Sequence, residues 1–244
     1  MPARPHKTIG SGAGGAHQGH AWESEYRNPK LVTKNDGPQA DTLRFLKFLK
    51  KEEKYRVEDR TILDLGCGTG RNANYLADLG NKVIGIEISK SAIGIAKARA
   101  EDMRVKVDYR VGDIGAPYDI SNDSIDIILD VTSSNSLDEK GRAAYLSEMK
   151  RVLKKDGYIF IRALCKDGNK NVKNLLKASP GKEYDTYVLK DIGLTERVFS
   201  REDFTKLYGE YFKIIHLDKK TSYMTFNNRI YKRDYWLAYI QNLG

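Results

Sequence analysis

The chain has 244 residues, of which 40% are hydrophobic and 31% charged, and its formal net charge is +9. That length suits one large domain, and this balance of apolar and charged residues excludes a disordered or collagen-like chain. With no run of about 18 apolar residues, no signal-like N-terminus and only two cysteines, Cys67 and Cys165, the expectation is a cytoplasmic protein with no membrane segment, disulfide framework or bound metal.

Residues 1–20 are rich in glycine, alanine and histidine and have no apolar period, which predicts a disordered tail. His6, His17 and His20 in that tail could catch a stray metal ion, but an unstructured segment makes no defined metal site. Residues 21–37 are polar, with Trp22 and Tyr26 one helical turn apart. Leu43, Leu46 and Leu49 then recur at helical spacing beside Phe45 and Phe48, predicting an amphipathic helix over 41–55 capped by Asp41.

The middle of the chain alternates strand and helix patterns. Strands are predicted near 61–66, 82–88, 106–111, 125–131 and 157–163, and helices near 70–79, 90–102 and 139–154. Short apolar runs such as TILDL, SIDIILD and YIFIRAL suit strands covered on both faces, as in a parallel sheet of a doubly wound α/β fold. Asp156-Gly157 predicts a tight turn into the fifth strand. Residues 166–195 read as a polar excursion with a short helix near 171–178. Ser200 and Asp203 then form a capping-box-like pair opening a helix at 201–209, followed by strands near 212–218 and 234–241.

The densest motif is Asp64-Leu65-Gly66-Cys67-Gly68-Thr69-Gly70-Arg71-Asn72. A strand running into glycines that open a helix lets backbone approach a ligand at a helix N-terminus. A dinucleotide fingerprint needs glycine where Arg71 stands, and Asp64 would repel a pyrophosphate yet hold an ammonium group. Seventeen residues past Gly70, Glu87 ends the second strand, followed by Ile88, and can accept both hydroxyls of a ribose. Asp113 could accept from an exocyclic amine with Ile114 on an adenine face, although Gly-Asp also marks ordinary turns. Asp130 ends the fourth strand, where ligand contact and simple solvation both fit.

With DLGCGTGRN, VIGIEIS, VGDI, SIDIILD and KRVLKKDGYIFI in order, the chain resembles the class I S-adenosylmethionine-dependent methyltransferases, over about residues 40–165. Its overall pattern is similar to the stand-alone type 11/25 and tellurite-resistance-like groups that act on small molecules. The resemblance implies a Rossmann-like, seven-stranded sheet with an antiparallel last strand, and S-adenosylhomocysteine as product. It implies a cofactor set of Asp64, Gly66, Cys67, Gly68, Thr69, Gly70, Asn72, Glu87, Ile88, Asp113, Ile114 and Asp130. It divides residues 21–244 into an N-terminal lid and helix to 56, a cofactor-binding core from 57 to 165, an acceptor-side excursion to 199, and a terminal helix and strand pair.

Methyl transfer from a sulfonium is a displacement that needs alignment and dryness more than acid–base groups, so no catalytic residue is assigned. The acceptor site is expected from Trp22 and Tyr26, from Thr132, Ser133 and Asn135 after the fourth strand, and from Tyr184 and Tyr187 in the excursion. For each, plain packing or turn bonding is the alternative. Cys67, Cys165 and His216 read as structural. Residues 61–165 balance 15 basic against 15 acidic groups, while the flanks carry the surplus without long runs. This favours a small-molecule acceptor at an O, N or S atom over RNA or protein, which the basic flanks keep as the alternative, as they do a non-catalytic cofactor-binding protein.

Overall fold

A computed structural model describes residues 13–30, 37–226 and 229–244. The elements in chain order are α1 (Ala13–Arg27), α2 (Ala40–Lys51), β1 (Thr61–Leu65), α3 (Arg71–Asp78), β2 (Lys82–Glu87), α4 (Lys90–Asp102), β3 (Val107–Val111), β4 (Ile125–Val131), α5 (Glu139–Val152), β5 (Leu153–Leu164), α6 (Lys170–Ala178), β6 (Thr186–Leu189), β7 (Leu194–Arg197), α7 (Arg201–Gly209), β8 (Lys213–Phe226) and β9 (Arg229–Gln241). A short 3₁₀ turn, Ser134–Ser136, follows β4.

Seven strands form one sheet in the order β3-β2-β1-β4-β5-β9-β8, with β1 to β5 parallel and β9 antiparallel to both neighbours. Alternate side chains of each strand enter opposite faces. Ile62, Ile127, Phe160 and Tyr239 pack under α2, α3 and α4 with Phe45, Leu49, Leu76 and Ile93. On the other face Leu63, Ile128, Ile159 and Trp236 pack against Tyr145, Met149, Phe204 and Tyr208 of α5 and α7. Both faces are therefore covered, which accounts for apolar runs without polar alternation. The strand order reverses between β1 and β4, and the turns after these strands share one edge of the sheet. Open sheets of this kind bind ligands at that edge.

The expected helices and strands of the middle are present, with shifts of a few residues at their ends. Three departures have physical causes. First, the predicted tail is helical from Ala13, with residues 1–12 outside the described residues. The helix has no apolar stripe and is held by polar contacts made far along the chain, so local periodicity could not reveal it. Second, Gln39 rather than Asp41 caps α2, its side chain accepting from the amides of Asp41 and Thr42, and α2 ends at Lys51. Third, the excursion holds a separate hairpin, β6 against β7, besides the expected short helix. Asp156 adopts a left-handed φ of 61°, and the turn it makes lies inside β5, tied to Asn242 near the chain end.

The face under α2 depends on aromatic packing. Phe45 is fully buried, stacks on Phe160 at 5.4 Å and meets Tyr239 in a tilted contact at 5.2 Å between ring centroids. Phe45→Ala is expected to lower stability by about 3–5 kcal/mol through the cavity it leaves. Denaturant unfolding followed by circular dichroism measures it, and a loss under about 1 kcal/mol would mean α2 contributes little to the core.

Candidate active site at the strand-end edge

β1 delivers Asp64 to this edge, and the chain then turns through Gly66, Gly68 and Gly70, all at positive φ. Gly66 and Cys67 both donate their amides to the Ile86 carbonyl, at 2.8 and 3.0 Å, folding the loop back over β2. A side chain at Gly66 would collide with Ser133, and one at Gly68 would lie 2.6 Å from the Tyr26 hydroxyl. Only glycine allows both the left-handed backbone and these close approaches.

Asp64 is 1% exposed, and its Oδ2 has no hydrogen-bond partner among the described residues. Burial, with Asp130 and Glu87 nearby, pushes its carboxyl up to about 7 despite the opposing Arg71. A buried carboxyl with one free oxygen at a glycine turn is a receptor for a cationic donor. An ammonium-bearing ligand fits that vacancy in the bonding scheme, and the amino-acid end of S-adenosylmethionine is such a group.

Glu87 is also buried. Its Oε2 accepts from the Gly68 amide at 3.1 Å and its Oε1 from the Ser89 amide at 2.9 Å. Burial raises its pKa, against the lowering effect of these bonds. Ser89 caps α4 by accepting from the Ala92 amide, and its hydroxyl donates to Glu23 of α1 at 2.7 Å. Glu23 accepts as well from the Ser91 amide and hydroxyl, at 3.1 and 2.6 Å, and pairs with Arg27 at 3.0 Å. The Ser91 and Ser89 bonds hold its carboxyl down at about 2. A carboxylate at the start of α4 also complements the helix dipole.

Through these contacts α1 lies across the edge. Tyr26 sets its hydroxyl against Gly68, where burial and the Glu87 charge push its phenol well above the ordinary value. Trp22 leans on Tyr26, with centroids 6.1 Å apart. Farther along, Gln18 exchanges two hydrogen bonds with the Thr195 backbone of β7, at 3.0 and 3.3 Å. The helix thus spans from the α4 cap to the excursion hairpin. Trp22 and Tyr26 lie on this helix, whereas Glu23 and Gln18, which fasten it, went unnoticed. The Glu23–Arg27 spacing was the one available signal.

The other expected site residues also make bonds or packing contacts within the protein. Asp130 is fully buried, accepting from the Ser133 and Ser134 amides with Oδ1 and from the Tyr145 hydroxyl, at 2.6 Å, with Oδ2. It shapes the turn after β4 with both oxygens bonded inside the protein, which excludes the reading as a solvated charge. Asn72 accepts from the Gln39 amide at 2.9 Å and anchors α2 rather than facing a ligand. Asp113 closes a turn onto the Gly115 amide at 2.8 Å, and Ile114 sits in the core against Leu65 and Ile86. Thr69 is bonded by Arg99, Cys67 fills the core, and Ile88 packs under Gly19 of α1.

In the turn after β4, Thr132 has a φ of 69°, and its hydroxyl accepts from Arg162 at 2.8 Å. Ser133 donates to the Gly66 carbonyl at 3.2 Å, coupling this turn to the glycine loop. Asn135 is buried and accepts from the Leu164 amide at 3.0 Å. Arg162 covers the Tyr235 ring and reaches buried Asp41 at 3.3 Å, where Lys220 also pairs. Burial alone would raise the Asp41 carboxyl, but Lys220, Gln39 and Arg162 hold it below its ordinary value. Tyr184 does not close over this region: it is 67% exposed beneath the Lys166 ammonium. Tyr187 follows the packing reading, buried and donating to Glu196 at 2.7 Å. Cys165 is fully buried with its thiol pushed up to about 11, and His216 stacks on Tyr239. Among the described residues no three potential metal ligands gather, and no helix is long and apolar enough to cross a membrane.

A family model described as a methyltransferase domain matches residues 62–157. An uncharacterized methyltransferase of Schizosaccharomyces pombe is 30% identical over 102 residues, covering 42% of this chain and 70% of that protein. A ubiquinone biosynthesis O-methyltransferase of Pelagibacter ubique is 33% identical over 142 residues, covering 55% of each chain, so the match spans about half the length of that relative. Among solved structures, the 1,6-didemethyltoxoflavin-N1-methyltransferase of Burkholderia thailandensis, with its acceptor and S-adenosylhomocysteine bound, has a TM-score of 0.69 at 15% identity over 98% of this chain and 94% of that one. A SAM-dependent methyltransferase of Methanosarcina mazei has a TM-score of 0.67 at 23% identity, over 79% and 96%.

The raised Asp64 pKa couples the stability of the fold to pH. The folded state keeps this proton above the pH near 3.8 at which an ordinary aspartate of the unfolded chain releases it. Stability therefore falls as pH rises from about 4 to about 7 on account of this group, and levels off above. Asp64→Asn should flatten that slope and raise the melting temperature at pH 8. An unchanged profile would mean that the carboxyl is ionised at ordinary cost.

Proposed function

Because the chain belongs to the class I S-adenosylmethionine-dependent methyltransferases, we propose that it transfers a methyl group to an O, N or S atom of a small-molecule acceptor. The observation that carries the reading is Asp64, buried at the glycine turn with an unpartnered oxygen. In this reading Asp64 and the backbone from Gly66 to Gly70 hold the amino-acid end of the cofactor. Glu87 turns toward the ribose, while Ile88, Asp113 and Ile114 border the adenine. The bound cofactor supplies an activated methyl group on a sulfonium, which needs no further activation by the protein.

The chain's own residues then align the partners and exclude water. Tyr26 and Trp22 on α1 close the edge, held down by Glu23 at one end and Gln18 at the other. Since the Tyr26 hydroxyl already sits on Gly68, α1 lifts to admit the cofactor and settles again over it. Thr132 and Arg162 flank the acceptor side, and Arg162 favours an acceptor with electron-rich oxygen or nitrogen. A small acceptor is supported by the named relatives, one for ubiquinone biosynthesis and one holding a toxoflavin precursor.

Calorimetry with S-adenosylhomocysteine tests the cofactor site. Glu87→Ala should weaken binding by about 1–3 kcal/mol, the loss of charge-assisted bonds to the ribose. Binding should also release protons at pH 6, because a neighbouring ammonium drives the Asp64 carboxyl from acid to carboxylate. Proton release is read from the dependence of the heat on buffer ionisation. Absence of binding, or tighter binding of NAD, would reject the assignment.

Glu23→Gln isolates the lid. It keeps the side chain but removes the charge that gathers Ser89, Ser91 and Arg27. The variant should be cleaved faster by trypsin at Arg27 and release S-adenosylhomocysteine faster, with little change in global melting temperature. Unaltered cleavage and release would show that α1 is fastened by other contacts. Methyl incorporation into RNA, with binding that weakens steeply between about 50 and 200 mM salt, would replace the small acceptor with a polynucleotide.

A further inference from the structure

Two arginines beside the turn after β4 have no acid paired with them. Arg142 of α5 is 3% exposed, and its Nη1 and Nη2 donate to the Ser134 and Leu137 carbonyls at 2.8 and 2.6 Å. Its Nε has no hydrogen-bond partner among the described residues. Arg197 of β7 is half-buried, and its enclosed Nε is likewise unbonded among them. Both guanidinium groups lie over the Phe199 ring, 5.2 and 5.3 Å from its centroid. Burial pushes the Arg142 pKa down, and the Arg197 charge pushes the same way.

The acids around them are committed to other partners. Glu183 accepts from the Glu139 amide with both oxygens, at 3.0 and 3.1 Å. Glu196 precedes Arg197 on the opposite face of β7, where it accepts from Tyr187 and Arg233. Asp130 is bonded to Ser133 and Tyr145. A ring face offsets part of the cost of burying a cation, whereas a second cation beside it adds to that cost.

The pair stands at the strand-end edge. Arg142 braces Ser134, and the preceding residue, Ser133, donates to the Gly66 carbonyl of the glycine loop. β7 runs beside the Ser134–Ser136 turn. Thr195 shares a face of β7 with Arg197, and its backbone is where Gln18 fastens α1. The half-exposed Arg197 therefore gives solvent a way to the pair between α1 and the turn after β4.

We propose that Arg197, backed by Arg142, binds the carboxylate of an acidic methyl acceptor. The planar fork of a guanidinium matches a carboxylate, and the incoming charge relieves the repulsion between the two arginines. The role as acceptor rests on the methyltransferase reading.

The probes are benzoate and its neutral counterpart benzamide, titrated against the full chain in chloride-free buffer with and without saturating S-adenosylhomocysteine. Benzoate is expected to bind saturably in both states, at least about tenfold more tightly than benzamide, without displacing S-adenosylhomocysteine. Arg197→Gln should bring the two probes within about twofold of each other while S-adenosylhomocysteine binds as before. With both ligands bound, nuclear Overhauser effects should connect the benzoate ring to the methylene protons beside the sulfur of S-adenosylhomocysteine. No saturable benzoate binding, equal affinity for the two probes, an unchanged preference in Arg197→Gln, or displacement of S-adenosylhomocysteine would each overturn the proposal. Bound benzoate without the Overhauser contact would make this a separate anion site and overturn its role as the acceptor's. Should Arg197→Gln not fold, the Overhauser contact in the unaltered protein decides. If S-adenosylhomocysteine itself fails to bind, the methyltransferase reading falls, and the benzoate titration without it still decides whether the arginines take an anion.

Discussion

Glu87 ends β2 with its two carboxylate oxygens bonded to amides of different turns, Gly68 on one side and Ser89 on the other. That pair of bonds fixes the glycine loop relative to the start of α4. Ser89 in turn caps α4 and receives Glu23 from α1, so that helix is registered to the same carboxylate. The turn after β4 joins the assembly through Ser133 and Gly66. Parallel strands bring these turns to one edge, but it is the buried acid that keeps them in a single arrangement.

Three buried carboxyls share this edge, and each meets the cost of burial differently. Asp130 is fully bonded within the protein and defines a turn. Glu87 is bonded to backbone amides that hold it in place. Asp64 is left partly unsatisfied beside Arg71. An incompletely bonded buried acid gains the most from an incoming donor, which sets Asp64 apart from the other two. At the turn after β4 the logic is inverted. Asp41 is a buried anion compensated by Arg162 and Lys220, which leaves Arg162 oriented along the Tyr235 ring toward Thr132.

Much of this was legible in the sequence because it is local. Apolar runs covered on both faces announced the parallel strands, and glycines bracketed by Asp64 and Glu87 announced the loop. What was missed depends on partners far along the chain. The α1 helix is glycine-rich and polar, and its fastening residues meet Ser89, Ser91 and Thr195, more than sixty residues away. Asp130 was ambiguous because a strand-end carboxylate looks the same whether it faces outward or bonds to the Tyr145 hydroxyl. Tyr184 and Tyr187, three residues apart, have opposite fates because the β6–β7 hairpin buries one and leaves the other outside.

Thr132 is a branched residue held at a backbone angle that glycine or asparagine adopts far more readily. Such a conformation costs on the order of 1–3 kcal/mol, and it persists because the surrounding bonds impose it. Random drift should therefore keep offering this position a more comfortable residue, and every such change would loosen the hydroxyl contact to Arg162. Among descendants of this chain, threonine at that point becomes a marker of lineages that still use the turn, and its replacement by glycine a marker of those released from that duty.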